Sequence, residues 1–112
     1  MVELQGLDEI ESDYFNRAII HHGIFLFHPS DAISVIERCR ELKRPIFGID
    51  AFLLLDKGRI QPNMGQSVDY SQGDHSLEFH DGGYWSAATQ HVKNRSNTDF
   101  FFEVIYGRKF PR

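Results

Sequence analysis

Ten consecutive residues, Ile46 to Leu55, carry a single charge, Asp50. A run that short and that apolar, lying between Pro45 and the turn-forming Asp56-Lys57-Gly58-Arg59, is expected to be a β-strand at the centre of a sheet, covered on both faces. Such a strand needs neighbours. Phe100 to Tyr106, interrupted only by Glu103, reads as a second apolar strand, Ile24 to Phe27 between Gly23 and Pro29 as a shorter one, Ile60 as the start of a returning edge strand, and the Gly-, Ser-, Asp-, Gln- and His-rich Pro62 to Gly83 as a long functional loop.

Between these runs the apolar period changes to that of a helix. Leu7, Ile10, Tyr14, Ala18 and Ile19 predict a helix over Leu7 to His22, closed by Gly23 and carrying His21 and His22 at its end. Ala32, Ile36 and Cys39 predict a second over Asp31 to about Lys43, capped by Ser30 and stopped by Pro45. Trp85, Ala88 and Val92 predict a third over Tyr84 to Asn94. The expected fold is α+β: a mixed central sheet with about three helices packed against it. With 112 residues and 41% hydrophobic content, one domain spans 1-112. Its tail, Gly107 to Arg112, is basic and expected to be loose.

A lone Cys39 excludes an internal disulfide, and its place on the apolar stripe of the second helix makes it a buried, inert thiol. Met1 to Asp13 carries five acids and no Lys or Arg, the opposite of a secretory leader, and no apolar run reaches the ~20 residues that span a membrane. A cytoplasmic location is expected. Net charge is −4, unevenly spread: Gln61 to Val92 contains no Lys or Arg but holds Asp69, Asp74, Glu78 and Asp81. A surface made from that stretch repels phosphate backbones and attracts a cationic partner, so neither nucleic acid nor membrane is the expected partner.

Catalytic signatures are missing. The best cluster, His75, Glu78, His80 and Asp81, lacks the i, i+4 histidine spacing of a zinc protease, and no cofactor is expected. No serine sits in a G-x-S-x-G elbow, and Gly65-Gln66-Ser67 and Asp81-Gly82-Gly83 lack the lysine and spacing of a phosphate loop. The expectation is a protein that is not an enzyme. Asp50 is expected to satisfy donors near the following loop, the alternative being a carboxylate presented to a partner. Glu103 is expected to face solvent, Trp85 to pack in the core, and Tyr70 to stand exposed as an apolar anchor.

The order of segments resembles a family of immunity proteins from bacterial polymorphic toxin systems, including those of contact-dependent growth inhibition. The resemblance covers roughly residues 24 to 106. It lies in Ser30-Asp31-Ala32-Ile33 opening a helix, Pro45-Ile46-Phe47-Gly48-Ile49-Asp50-Ala51-Phe52, the turn with Gly58 followed by Ile60-Gln61-Pro62, Tyr84-Trp85-Ser86-Ala87-Ala88, and Phe100-Phe101-Phe102-Glu103-Val104-Ile105-Tyr106. Where many members carry an aromatic after the hairpin, this chain reads Asn63-Met64-Gly65. The resemblance implies a cytoplasmic protein that binds the C-terminal domain of a cognate toxin and blocks its active site or substrate access.

Charge argues for the same partner independently. A nuclease toxin holds nucleic acid on a positive surface, which carboxylates can mimic phosphate to occupy. The expected toxin-binding residues are therefore Asp69, Tyr70, Asp74, Glu78 and Asp81, with Asp8, Glu9, Glu11 and Asp13 as the second choice. The rivals are a small metal-dependent hydrolase using the His75/His80 loop and a regulatory module that binds a peptide at a sheet edge.

Overall fold

The computed structural model describes residues 8–75, 81–96 and 99–107. Helix α1, Glu9–Tyr14, opens on a capping box: Asp8 accepts from the Glu11 N–H at 2.8 Å, and the Glu11 carboxylate accepts from the Asp8 N–H at 3.1 Å. It is shorter than expected. A 3₁₀ turn, Phe15–Arg17, ends it, and Ile19–His21 is strand β1, paired antiparallel with β2, Ile24–Leu26. His22 and Gly23, with φ of 50° and 82°, form a two-residue turn between them, so the histidines and the glycine belong to a hairpin and not to a helix end. Ile19 fits a helical spacing, but Ile19 and Ile20 are β-branched and the His-Gly pair accepts positive φ.

Helix α2, Pro29–Glu41, takes His28 as its N-cap and Pro29 as its first residue, in place of the expected Ser30 cap. Strand β3, Ile46–Leu54, is central in a sheet ordered β4-β3-β5, with β4 spanning Ile60–Asp69 and β5 spanning Phe100–Tyr106. Helix α3, Trp85–Lys93, joins the outer strands. β4 and β5 run in the same direction but lie on opposite sides of β3, so every pair is antiparallel and the sheet is not mixed. The architecture is α+β.

β4 overturns one expectation. Pro62 to Asp69 was expected in a long loop, yet it continues the strand. An edge strand pairs on one side only, which lets Pro62 sit there without a lost ladder bond and lets its outer side be polar.

Alternation along the strands sorts the side chains. Ile46, Ile49 and Ala51 of β3 and Phe102 and Val104 of β5 pack against Ala32, Val35, Ile36 and Cys39 of α2 and Ala88 and Val92 of α3. Cys39 is fully buried, and loss of water drives its thiol pKa up to about 12, as the inert reading expects. The opposite face of β3 carries Gly48, Asp50 and Phe52, and among the described residues no helix covers it. The shortest molecular extent, 21 Å, is that of one sheet with one layer of helices. The central strand is thus covered on one face where two were expected.

The β1-β2 hairpin is fastened to the main sheet by Phe27, whose N–H and C=O exchange hydrogen bonds of 2.8 Å with Phe102. Below it, Arg44 lies over the Tyr106 ring and binds Asp8 at 3.0 Å and Glu9 at 2.9 Å, while the Tyr106 hydroxyl donates to Asp8 Oδ2 at 2.9 Å. Among the described residues no helix is long and apolar enough to cross a membrane.

Candidate functional site

The uncovered sheet face is built by register. Asp50 on β3 stands directly opposite Glu103 on β5, and Gly48 lies between Asp69 on β4 and Ile105 on β5. Directly opposed residues share a face with their Cβ atoms close together, so three carboxylates from three strands gather here. Loss of water raises the Asp50 pKa above the usual carboxylate range, and the Asp69 charge adds to it; burial raises Glu103 likewise, helped by Asp50. Asp69 goes the other way, because the Ser71 hydroxyl and the Ser71 N–H, the latter at 2.8 Å, stabilise its charge. Among the described residues, no cation or hydrogen-bond donor pairs with the carboxylate of Asp50 or Glu103.

Apolar side chains stand beside these acids. The β3–β4 register shifts between Ile49 and Ala51, and the extra β4 residues bulge. Ser67 closes the bulge, its hydroxyl accepting from the Ala51 N–H at 2.9 Å and donating to the Asn63 carbonyl at 2.8 Å. From α3, His91 contacts the Gln66 carbonyl at 2.7 Å, and beyond the helix Arg95 donates to the Gln66 side chain at 2.8 Å, fixing the bulge from behind. Burial lowers the His91 pKa, with a smaller push from Arg95 opposed by the Gln66 bond. Met64 is presented at 78% exposure and Ile105 at 38%. With Phe47, Gly48, Asp50 and Asp69 they line a cavity of about 330 Å³.

Of the residues expected at an interface, Asp69 lies on this face. Tyr70 is half-buried and stacks on Tyr84 with ring centroids 4.9 Å apart, so it is a packing residue and no exposed anchor. Asp81 accepts from the Ser86 and Ala87 N–H groups at 3.2 and 3.1 Å and holds the start of α3. Asp74 is exposed, its N–H donating to the Tyr84 hydroxyl at 3.1 Å. Glu78 and His80 lie outside the described residues, as do 108–112 of the basic tail. Trp85 packs against the core and donates to the Arg44 carbonyl at 2.8 Å.

The second-choice acids are engaged within the chain: Asp8 and Glu9 by Arg44, Asp13 by Arg38 at 3.7 Å, and Glu11 by the helix cap. His75 contacts the Ile46 carbonyl at 3.2 Å and packs on Phe47 and Tyr84, a way of tying the segment after β4 to β3. Among the described residues no group of three His, Cys, Asp or Glu side chains could hold a metal.

Asp50 is the residue whose place differs most from expectation, whereas Glu103 lies, as expected, on the uncovered side of an edge strand. Asp50 sits mid-strand, far from the turn whose donors it was to satisfy. The signal in the sequence was Gly48-Ile49-Asp50, a glycine and an acid two residues apart and therefore side by side on one face of a strand.

No protein-family model matches the chain, and no curated protein matches it.

Proposed function

We propose that this chain is an immunity protein that binds a cationic toxin domain, a nuclease, through the open face of its sheet and so blocks the toxin's active site or substrate access. The observation that carries the reading is the pairing of Asp50 and Glu103, two partly dehydrated carboxylates without a cation among the described residues, beside exposed Met64 and Ile105. Unpaired, half-buried acids cost stability, and a partner's Lys or Arg would offset that cost while the apolar side chains supply area. Asp69, exposed beside them, also acts as a steering charge, raising the association rate.

The test uses the C-terminal domain of a large secreted protein encoded beside this chain, expressed alone in a growth assay. Co-expression of this chain restores growth and the two co-purify. Reversal of Asp69 and Glu103 to Lys abolishes rescue and flattens the salt dependence of binding, while the far-ultraviolet dichroism stays native. Full rescue by the double variant removes the open face as the interface, and a harmless domain that forms no complex removes the immunity reading itself.

A further inference from the structure

The open face has a hollow, and its floor is a glycine. A Cβ built on Gly48 would sit 3.1 Å from the Val68 carbonyl oxygen and 3.7 Å from Ile105 Cδ1, so any side chain here would crowd the two flanking strands and fill the space above β3. Because nothing does, the cavity reaches down to the β3 backbone and is lined both by acids, Asp50 and Asp69, and by apolar groups, Met64, Ile105 and Phe47. That mixed lining matches a side chain with a charged end and an apolar stem.

Building on the reading of this face as a docking surface, we propose that the hollow over Gly48 receives one arginine side chain of the partner, its guanidinium between the Asp50 and Asp69 carboxylates and its methylene stem along Met64 and Ile105. The two acids stand on different strands. A planar guanidinium with five donors can bond to both at once, whereas an ammonium acts as one compact charge that is harder to dehydrate. The exposed thioether of Met64 adapts to a stem that enters from solvent, and the Phe47 ring in the wall suits a flat cation. The bulge that carries Met64 is held by Ser67, His91 and Arg95, so the rim is formed before the partner arrives.

The experiment uses the full chain and small probes, and needs no toxin. Backbone amide chemical shifts are followed as N-acetyl-arginine methylamide is added, with the matching lysine and citrulline compounds as controls. Saturable shifts centred on Gly48, Asp69 and Ser71 are expected with arginine, at least tenfold weaker binding with lysine, and none with citrulline. Gly48→Ala and, separately, the combined Asp50→Asn and Asp69→Asn change abolish the response. The second pair guards against a folding defect in the glycine variant, because amides near the size of the acids replace them. Equal shifts for arginine and lysine, or a response that survives both variants, would overturn the proposal. Either result leaves the growth assay unaffected, and a failed growth assay leaves the hollow standing, so the two readings fall separately.

Discussion

Replacing Glu103 by Gln should make the protein more stable at neutral pH. Glu103 stands directly across from Asp50, with Asp69 the nearest further charge facing them. Like charges directly opposed across two strands cost roughly 0.2–1 kcal/mol, so removing one member returns about 0.5 kcal/mol. In a domain of about 100 residues 1 kcal/mol corresponds to about 4–8 °C, so the melting temperature of Glu103→Gln rises by about 2–4 °C at pH 7. The pH dependence fixes the cause. Both acids have folded-state pKa values raised above their usual 3.8 and 4.5. Their contribution to stability is therefore fully present below about pH 4. It is lost as pH rises through the raised folded values, a window that Glu103→Gln narrows. Thermal melts at pH 7 and at about pH 3 measure it: the gain shows at pH 7 and fades at pH 3. A variant that melts lower at pH 7, or gains equally at both, refutes the account, for then packing and not charge governs the position.

Two further predictions concern acids and cations that the structure assigns to the fold. Arg44→Ala strands the buried Asp8 carboxylate and should cost roughly 3–5 kcal/mol in urea unfolding, where a loss under about 1 kcal/mol would mean that water reaches the pair. Asp81→Ala removes the acceptor at the start of α3 and should cost about 1 kcal/mol, yet leave affinity for the proposed toxin partner unchanged; weakened binding with unchanged stability would put Asp81 in the proposed interface.

What the sequence makes legible is what periodicity encodes. α2, β3, α3 and β5 bury continuous stripes or runs, and for them apolar spacing alone carries the assignment. β4 was hidden because it is an edge strand with a bulge: Gln61, Pro62, Asn63, Gly65 and Gln66 face outward or step out of register, leaving no alternation to read. The first helix was overextended because Ala18 and Ile19 satisfy a helical period by chance, and the deciding information lay in the turn-forming His22-Gly23 pair. The charge deficit between Gln61 and Val92 identifies an acidic region, but it cannot separate Asp69, which lies on the open face, from Asp81, whose oxygens are spent on a helix. Asp50 and Glu103 are 53 positions apart and become neighbours only through strand register, as do Asp8 and Tyr106, whose hydroxyl–carboxylate bond spans 98 positions.

The pairing of β3 with β5 also sets the order in which the molecule can be made. Strand β3 leaves the ribosome before either of its neighbours, and one of them, with the fully buried Phe102, arrives only after α3. Until then the apolar stripe of α2, Ala32, Val35, Ile36 and Cys39, has no complete sheet to rest on, and the strand with a single charge in ten residues has an open edge. Until β5 has been made, a growing chain cannot close this core or bring Glu103 opposite Asp50, and any partner that reads the open face can recognise only molecules in which that strand is already in place.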